Sequence, residues 1–242
     1  MHREIHQWRS PRLDRNMAVA VYGHYGFALL MFPAAADYLE YERFQVIESI
    51  APLIDSGKCK VFSINSVSNE SWLNDAMDPR HQSTRHRQFN GYVEEEVVPF
   101  IHSHCQGRVP IITSGASFGA LLSANILFRR PDLIDGCIAL SGGYDLKDYT
   151  NGYWDEDVYF NSPLDYLPNL EDETQLSQLR AKHHLYFVSG QGAYEKPSAS
   201  VDIGRVLSAK RIPHVIDLWG HDVNHDWPWW RKMLPHYLGT KF

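Results

Sequence analysis

The pentapeptide Gly115-Ala116-Ser117-Phe118-Gly119 places a serine between two glycines, after the apolar run VPIIT and before ALLSANILF. A serine in a sharp strand-to-helix turn needs small neighbours, because the two elements approach closely there. Its hydroxyl then stays exposed and attacks a carbonyl carbon once a base removes its proton. A chance glycine-serine turn is the alternative, but the strand-turn-helix context favours Ser117 as a nucleophile. The Phe118 amide would then donate to the oxyanion.

The base that such a serine needs is expected near the C-terminus, where GHDVNHDWPWW follows the apolar run HVIDLW. His221 and His225 both lie there, and periodicity does not separate them. A zinc site built on the pair is disfavoured, because Gly220 and Asn224 argue against a helix and no third ligand is evident. We therefore predict no metal among the site residues, and nothing in the sequence implies a cofactor.

A carboxylate that orients the histidine is expected in the loop SGQGAYEKPS, which offers Glu195, with Asp202 as the second choice. The second oxyanion donor is expected after the strand FALLMF, where Pro33 is followed by three alanines. Ala35 is the predicted donor, although small residues there also suit tight packing.

These residues are positioned by alternating strand and helix patterns. Strands are predicted at 17–21, 26–32, 59–64, 109–113, 137–140, 184–188 and 214–218, and helices at 41–53, 88–102, 119–130, 198–210 and 227–237. This alternation predicts an α/β fold, a doubly wound and mostly parallel sheet with helices on both faces, in one domain over residues 1–242. The site is expected at the carboxyl ends of the strands.

Residues 141–179 have no sustained period and are rich in Gly, Asn, Tyr, Trp and Asp, which predicts an inserted, cap-like segment over the site. Aromatic side chains there and elsewhere are candidates for an acyl or aryl pocket, although core packing explains them equally well. The predicted substrate-binding residues are Trp72, Tyr144, Tyr153, Trp154, Tyr159 and Trp227.

Composition narrows the classes of partner. The 242-residue chain has a formal net charge of −6, which disfavours nucleic acid. Cys59, Cys105 and Cys137 have neither paired nor zinc-type spacing and are interpreted as reduced thiols. No signal-peptide core and no membrane-spanning run is visible, so a cytoplasmic location without a membrane partner is expected. C-terminal aromatic residues leave a homo-oligomer possible.

The chain resembles the esterase family of α/β-hydrolases that includes esterase D-like enzymes, feruloyl esterases and bacterial mycolyltransferases. The resemblance spans most of the chain and rests on FPAAADYLEYE, SVSNESWLN, GASFGA, NGYWDEDVYFNSPLDYLPNL and WGHDVNHDWPWWRKMLPHYL. It implies His225 as the base, because His225-Asp226-Trp227 fits the family's pattern, and it supports Glu195 in GQGAYE. FPAAAD departs from the usual Asp-Gly or His-Gly loop, so Ala35 is carried over by position.

Together the residues and the resemblance predict a serine esterase. It would cleave a small-molecule carboxylic ester or thioester through a Ser-His-Glu triad and an acyl-enzyme intermediate. Two alternatives remain open: an acyltransferase that uses the same triad, and a catalytically silent hydrolase scaffold that binds a ligand or partner.

Overall fold

One eight-stranded sheet organises the computed structural model, which describes residues 1–242, in the spatial order β1-β2-β4-β3-β5-β6-β7-β8. Its strands are β1 (Arg3–Ser10), β2 (Arg15–Tyr22), β3 (Phe27–Phe32), β4 (Cys59–Ile64), β5 (Ile111–Ala116), β6 (Gly136–Leu140), β7 (His184–Ser189) and β8 (Val215–Leu218). β2 pairs antiparallel with β1 and β4, and the other pairs are parallel. The predicted mostly parallel sheet is confirmed.

Eleven α-helices lie between the strands or after the last strand of this sheet. They are α1 (Glu40–Arg43), α2 (Val46–Ser49), α3 (Ala51–Asp55), α4 (Pro79–Tyr92), α5 (Val98–His104), α6 (Phe118–Arg129), α7 (Glu156–Tyr159), α8 (Pro163–Tyr166), α9 (Glu173–Arg180), α10 (Pro197–Ala209) and α11 (Trp227–Thr240). None of them combines the length and the apolar composition required to cross a lipid bilayer.

The sheet is buried on both faces, as its continuous apolar strands require. In β3, Leu30 and Phe32 join the core that contains α4, α5, α6, α9 and α10. Leu29 and Met31 point the other way, into the core formed with α1, α2, α3 and α11. Helices therefore cover both faces of the sheet, and the doubly wound prediction is confirmed.

The edge strand β1 was not predicted from the sequence. Its residues alternate between exposed and half-buried because only one face meets the protein, so the segment lacks the apolar run of an inner strand. Trp8 carries the inward contact, with ring centroids 5.2 Å from Phe100 and 6.0 Å from Tyr92. Its indole N–H donates to Glu96 over 2.8 Å.

Two predicted helices differ from those observed. The helix expected over 41–53 is three short helices, because Gln45 adopts φ 60° between the first two and Ile50 interrupts the second. The helix expected over 88–102 begins at Pro79, where the Asp78 carboxylate accepts from the Arg80 and His81 amides. Residues 93–97 form a π-helical turn just before Pro99, which has no N–H to donate within the helix.

Candidate active site

Ser117 lies in the turn between β5 and α6, as the pentapeptide predicted. Its φ of 56° and ψ of −122° are costly for a residue with a Cβ, and its side chain does not cap α6. Its amide donates to the Leu140 carbonyl over 2.9 Å. The backbone is thus held in a strained turn, with the hydroxyl left to the solvent side.

The two glycines that flank Ser117 allow strand and helix to touch. A Cβ on Gly115 would lie 2.3 Å from the backbone of Gly119, and one on Gly119 would lie 2.3 Å from the Phe32 carbonyl oxygen. Neither distance is tolerable for backbone atoms, which cannot swing away as a side chain does. The motif is therefore required by packing between β5, α6 and the end of β3.

Tyr41 also fixes this turn, although sequence reasoning did not select it. Its hydroxyl donates to the Phe32 carbonyl over 2.7 Å and accepts from the Ala116 amide over 2.9 Å. Burial raises the pKa of this phenol far above its usual range. Tyr41 thus joins the end of β3 to the residue before the serine as a neutral bridge.

His225 and Glu195 are brought together from two different loops. His225 Nδ1 lies 3.5 Å from Glu195 Oε2, and the Glu195 side chain is fully buried. His225 Nδ1 is itself buried and makes no hydrogen bond at this separation, so the carboxylate is its ionic neighbour. A buried carboxylate beside Nδ1 leaves Nε2 as the nitrogen that can face a substrate.

The Glu195 carboxylate is supported by two serines that the sequence analysis missed. Ser141 Oγ donates to Oε1 over 2.7 Å, Ser189 Oγ lies 3.1 Å from Oε2, and Trp230 Nε1 donates to Ser141 Oγ over 3.0 Å. Burial acts to raise the pKa of Glu195, but His225 and the two hydroxyls outweigh it and hold that pKa below its usual value. The carboxylate is therefore ionised at neutral pH.

Hydrogen bonds between the two loops set this arrangement. The His225 amide donates to the Ala193 carbonyl over 3.0 Å, and the Ala193 amide donates to Asn224 Oδ1 over 2.8 Å. The Gly192 amide donates to the Val223 carbonyl over 2.9 Å. Because residues 223–225 are joined to the loop that carries Glu195, the imidazole and the carboxylate keep a fixed relation.

Ser117 and His225 line the same cavity, whose volume is about 360 Å³. Much of its wall comes from residues 141–149 and Leu164, and the rest from the loop around Tyr194 and from α10. The wall is polar: it includes Asp145, Asp148, Asp202 and Lys196, with Lys196 Nζ 2.6 Å from Asp148 Oδ2. The cavity therefore suits a small polar group better than a long hydrocarbon chain.

The residues that competed for triad roles are placed differently. His221 is exposed and does not line the cavity. Asp202 lines the cavity but pairs with Arg205, 2.7 Å away, rather than with His225. Geometry thus favours His225 over His221 and Glu195 over Asp202.

The loop predicted to supply the second oxyanion donor is occupied by a side chain of the protein. The Ala34 amide donates to Glu40 Oε2 over 2.6 Å, and the Ala35 and Ala36 amides donate to Oε1 over 3.2 and 3.1 Å. Burial raises the pKa of Glu40 against the opposing effect of these amides. The Ala35 N–H is therefore engaged, whereas Phe118 lies in the first turn of α6, whose amides have no partner within the helix.

Of the six aromatic residues predicted to bind substrate, the structure brings only Tyr144 to the cavity. Trp154 is 66% exposed and lies near Tyr159, and Tyr153 donates to Asp155 over 2.8 Å. Trp227 stacks on Phe44 with ring centroids 4.2 Å apart. The aromatic rings at the cavity that the sequence analysis did not select belong to Tyr149 and Tyr194.

Trp72, the remaining member of the predicted set, is a core residue. It is 1% exposed, and its Nε1 donates to His86 Nδ1 over 2.8 Å. Burial lowers the pKa of His86 to about 3, so this imidazole is neutral and accepts the indole proton. The pair fixes the residues that precede α4 rather than the substrate.

The His86 environment makes stability depend on pH. An unfolded histidine takes up a proton below about pH 6.5, whereas folded His86 resists it down to about pH 3. We expect this site to remove roughly 2 kcal/mol from the free energy of unfolding between pH 6.5 and pH 5. Urea unfolding at both pH values, with His86→Gln as the non-titrating comparison, measures it. An equal loss in wild type and variant would contradict the assignment.

Comparisons with known proteins agree with this geometry at the level of fold. No protein-family model matches the sequence, and no curated protein matches it. Among solved structures, a ferulic acid esterase superposes with a TM-score of 0.72 at 17% identity, covering 98% of this chain and 96% of the other. An S-formylglutathione hydrolase from Agrobacterium tumefaciens gives 0.70 at 12%, covering 98% and 93%.

FphF, a fluorophosphonate-binding serine hydrolase of Staphylococcus aureus, superposes with a TM-score of 0.68 at 16% identity, covering 98% of this chain and 97% of the other. Likenesses at this low identity establish the fold and do not transfer an activity. The chain has the α/β-hydrolase fold, as the sequence predicted.

Proposed function

We propose that this protein is a serine hydrolase that cleaves a carboxylic ester through Ser117, His225 and Glu195. The observation that carries the proposal is the shared cavity: a serine in a strained strand-to-helix turn and a histidine backed by a buried carboxylate line the same 360 Å³ space. A nucleophile, a base and a group that orients the base are the parts that acyl transfer requires.

The proposed reaction begins when His225 Nε2 takes the Ser117 Oγ proton as Oγ attacks the ester carbonyl carbon. The imidazolium then gives that proton to the alcohol, which leaves as the C–O bond breaks. A water molecule then attacks the acyl carbon as His225 takes its proton. The imidazolium gives this proton to Ser117 Oγ as the acyl–Oγ bond breaks, and the acid is released. Glu195 stays ionised throughout and stabilises the charged imidazole. The hydroxyls of Ser141 and Ser189 support the charged form of this carboxylate.

The tetrahedral oxyanion would be held by the Phe118 amide at the start of α6, where the helix dipole also favours negative charge. A second donor, Ala35, would contribute once its N–H turns from Glu40 toward the substrate. Until then the Glu40 carboxylate keeps the loop ordered by accepting from three consecutive amides.

The cavity wall supports a substrate with a compact, polar or cationic group. Three carboxylates and one ammonium line it; Lys196 pairs with Asp148 and Arg205 pairs with Asp202, which leaves Asp145 without an ionic partner. The remaining negative charge disfavours an anionic acyl or alcohol group and favours hydroxyl or amine donors. A long acyl chain would remove water from these charged groups without offering them a polar partner.

A panel of p-nitrophenyl and choline-type esters tests the activity. We expect measurable turnover of short, neutral or cationic esters and much weaker turnover of long-chain and anionic ones. Glu195→Gln should lower kcat by about 10³–10⁴-fold, because the amide cannot stabilise the imidazolium. Asp226→Asn, which caps α11 outside the cavity, is the matched carboxylate control and should change kcat little.

No hydrolysis of any ester by folded wild-type protein would contradict the proposal and favour a scaffold that only binds. Transfer of the acyl group to an added alcohol in preference to water would instead identify an acyltransferase. Equal rates for wild type and Glu195→Gln would show that Glu195 does not support His225.

A further inference from the structure

A cluster of metal-ligand side chains lies far along the sheet from the cavity, at the edge strand β1. Glu4 and His6 are two residues apart, so both point to the inner face of the strand, and His104 is the last residue of α5. The fold thus brings His104 next to Glu4, although the two residues lie 100 positions apart in the sequence. None of them lines the cavity of Ser117 and His225.

The donor atoms of this cluster converge on one carboxylate. Glu4 Oε2 lies 2.7 Å from His6 Nε2 and 3.1 Å from His104 Nε2, and the three donor atoms all lie within 4.8 Å of one another. A tetrahedral zinc ion with bonds of about 2.1 Å holds its ligands roughly 3.4 Å apart. Small side-chain shifts therefore bring all three atoms to ligating distance.

The surroundings of His104 hold its ring in place. Its ring centroid lies 5.5 Å from that of Phe100, 5.7 Å from Phe62 and 5.0 Å from His6. Only 14% of its side chain is exposed, and its Nδ1 is buried without a hydrogen-bond partner. No group outside the cluster competes for this imidazole, while Glu4 and His6 remain open enough to admit an ion from solvent.

We propose that Glu4, His6 and His104 bind one divalent transition-metal ion, such as zinc, which ties β1 to α5. Two imidazoles and one carboxylate suit zinc and similar cations better than calcium or magnesium, which prefer oxygen ligands. His2 contacts the other oxygen of the Glu4 carboxylate, Oε1, through Nε2 and lies outside the group of three. An ion bound to the folded state alone stabilises it, so this site anchors the edge strand.

Titration of the chelator-stripped protein with Zn²⁺ in a calorimeter, and with Co²⁺ in a spectrophotometer, tests the site. We expect one ion per chain, visible Co²⁺ bands of a tetrahedral complex, and a rise in Tm with Zn²⁺. His6→Gln and His104→Gln should each lower the affinity by about 100-fold or more, above the usual loss for an outer-shell partner. His81→Gln, an exposed histidine on α4, should bind as wild type.

Circular dichroism of the stripped variants separates loss of a ligand from loss of folding. If a variant is misfolded without metal, Glu4→Gln replaces it, because the amide keeps the shape of the side chain and weakens ligation. Absence of saturable Zn²⁺ binding, or equal affinity in wild type, His6→Gln and His104→Gln, would overturn the proposal and leave a purely hydrogen-bonded cluster. Neither result bears on the hydrolase proposal.

Discussion

Ser117→Ala is expected to lower kcat/KM for any accepted ester by about 10⁵–10⁶-fold, the scale seen when a hydrolase loses its nucleophile. The reason is chemical: alanine has no oxygen to form the acyl-enzyme, while the cavity and the His225–Glu195 pair stay in place. Steady-state kinetics with the best ester of the panel measure the loss. Some residual rate over water would come from binding and from the Phe118 amide.

Ser114→Ala is the matched control, because Ser114 lies on the same strand but its hydroxyl donates to the Ile138 carbonyl in the core. It should cost stability and leave kcat nearly unchanged. Comparable losses of kcat in Ser114→Ala and Ser117→Ala would show that activity does not depend specifically on the hydroxyl in the turn.

Gly119→Ala is expected to destabilise the protein by roughly 3–5 kcal/mol, which is exceptional for one methyl group. The added Cβ would lie 2.3 Å from the Phe32 oxygen and 2.8 Å from the Pro33 oxygen, and both belong to the backbone. Relief requires α6 to move from the end of β3, which shifts the Phe118 amide. Urea unfolding measures the change in free energy, and we expect activity to fall even in the fraction that folds.

Gly239→Ala provides the comparison within the same chain. Gly239 lies near the end of α11, and a Cβ there meets nothing within 4 Å. Alanine favours a helix over glycine by about 1 kcal/mol, so stability should stay the same or rise slightly. A similar loss in both variants would contradict the packing explanation for Gly119.

The central part of the fold could be predicted because its signals are local. β4 was predicted residue for residue, and the turn at Ser117 followed from its two glycines, the preceding apolar strand and the following helix. His221 and His225 could not be separated by periodicity, since both lie in one irregular loop. The preference for His225 came from the resemblance to a family. In the structure, His225 lies beside the Glu195 carboxylate.

The parts that escaped prediction depend on contacts between distant segments. Ser141 supports Glu195 from 54 positions away, and no spacing in the sequence relates the two. Glu40 was hidden for another reason: a glutamate is ordinarily exposed, whereas this one is 3% exposed and accepts from three amides. Trp72 and Trp154 have the same residue type, and only tertiary packing decides that one is core and the other surface.

Covalent labelling of the purified protein with a fluorophosphonate, followed by peptide mass spectrometry, tests most directly whether Ser117 is an activated nucleophile. Such a probe reacts with a serine only when a neighbouring base activates it. We expect one adduct on the peptide that contains Ser117, none in Ser117→Ala, and a steep fall in labelling in His225→Ala. Folded wild-type protein that remains unlabelled, or carries its adduct on another serine, would contradict the proposal.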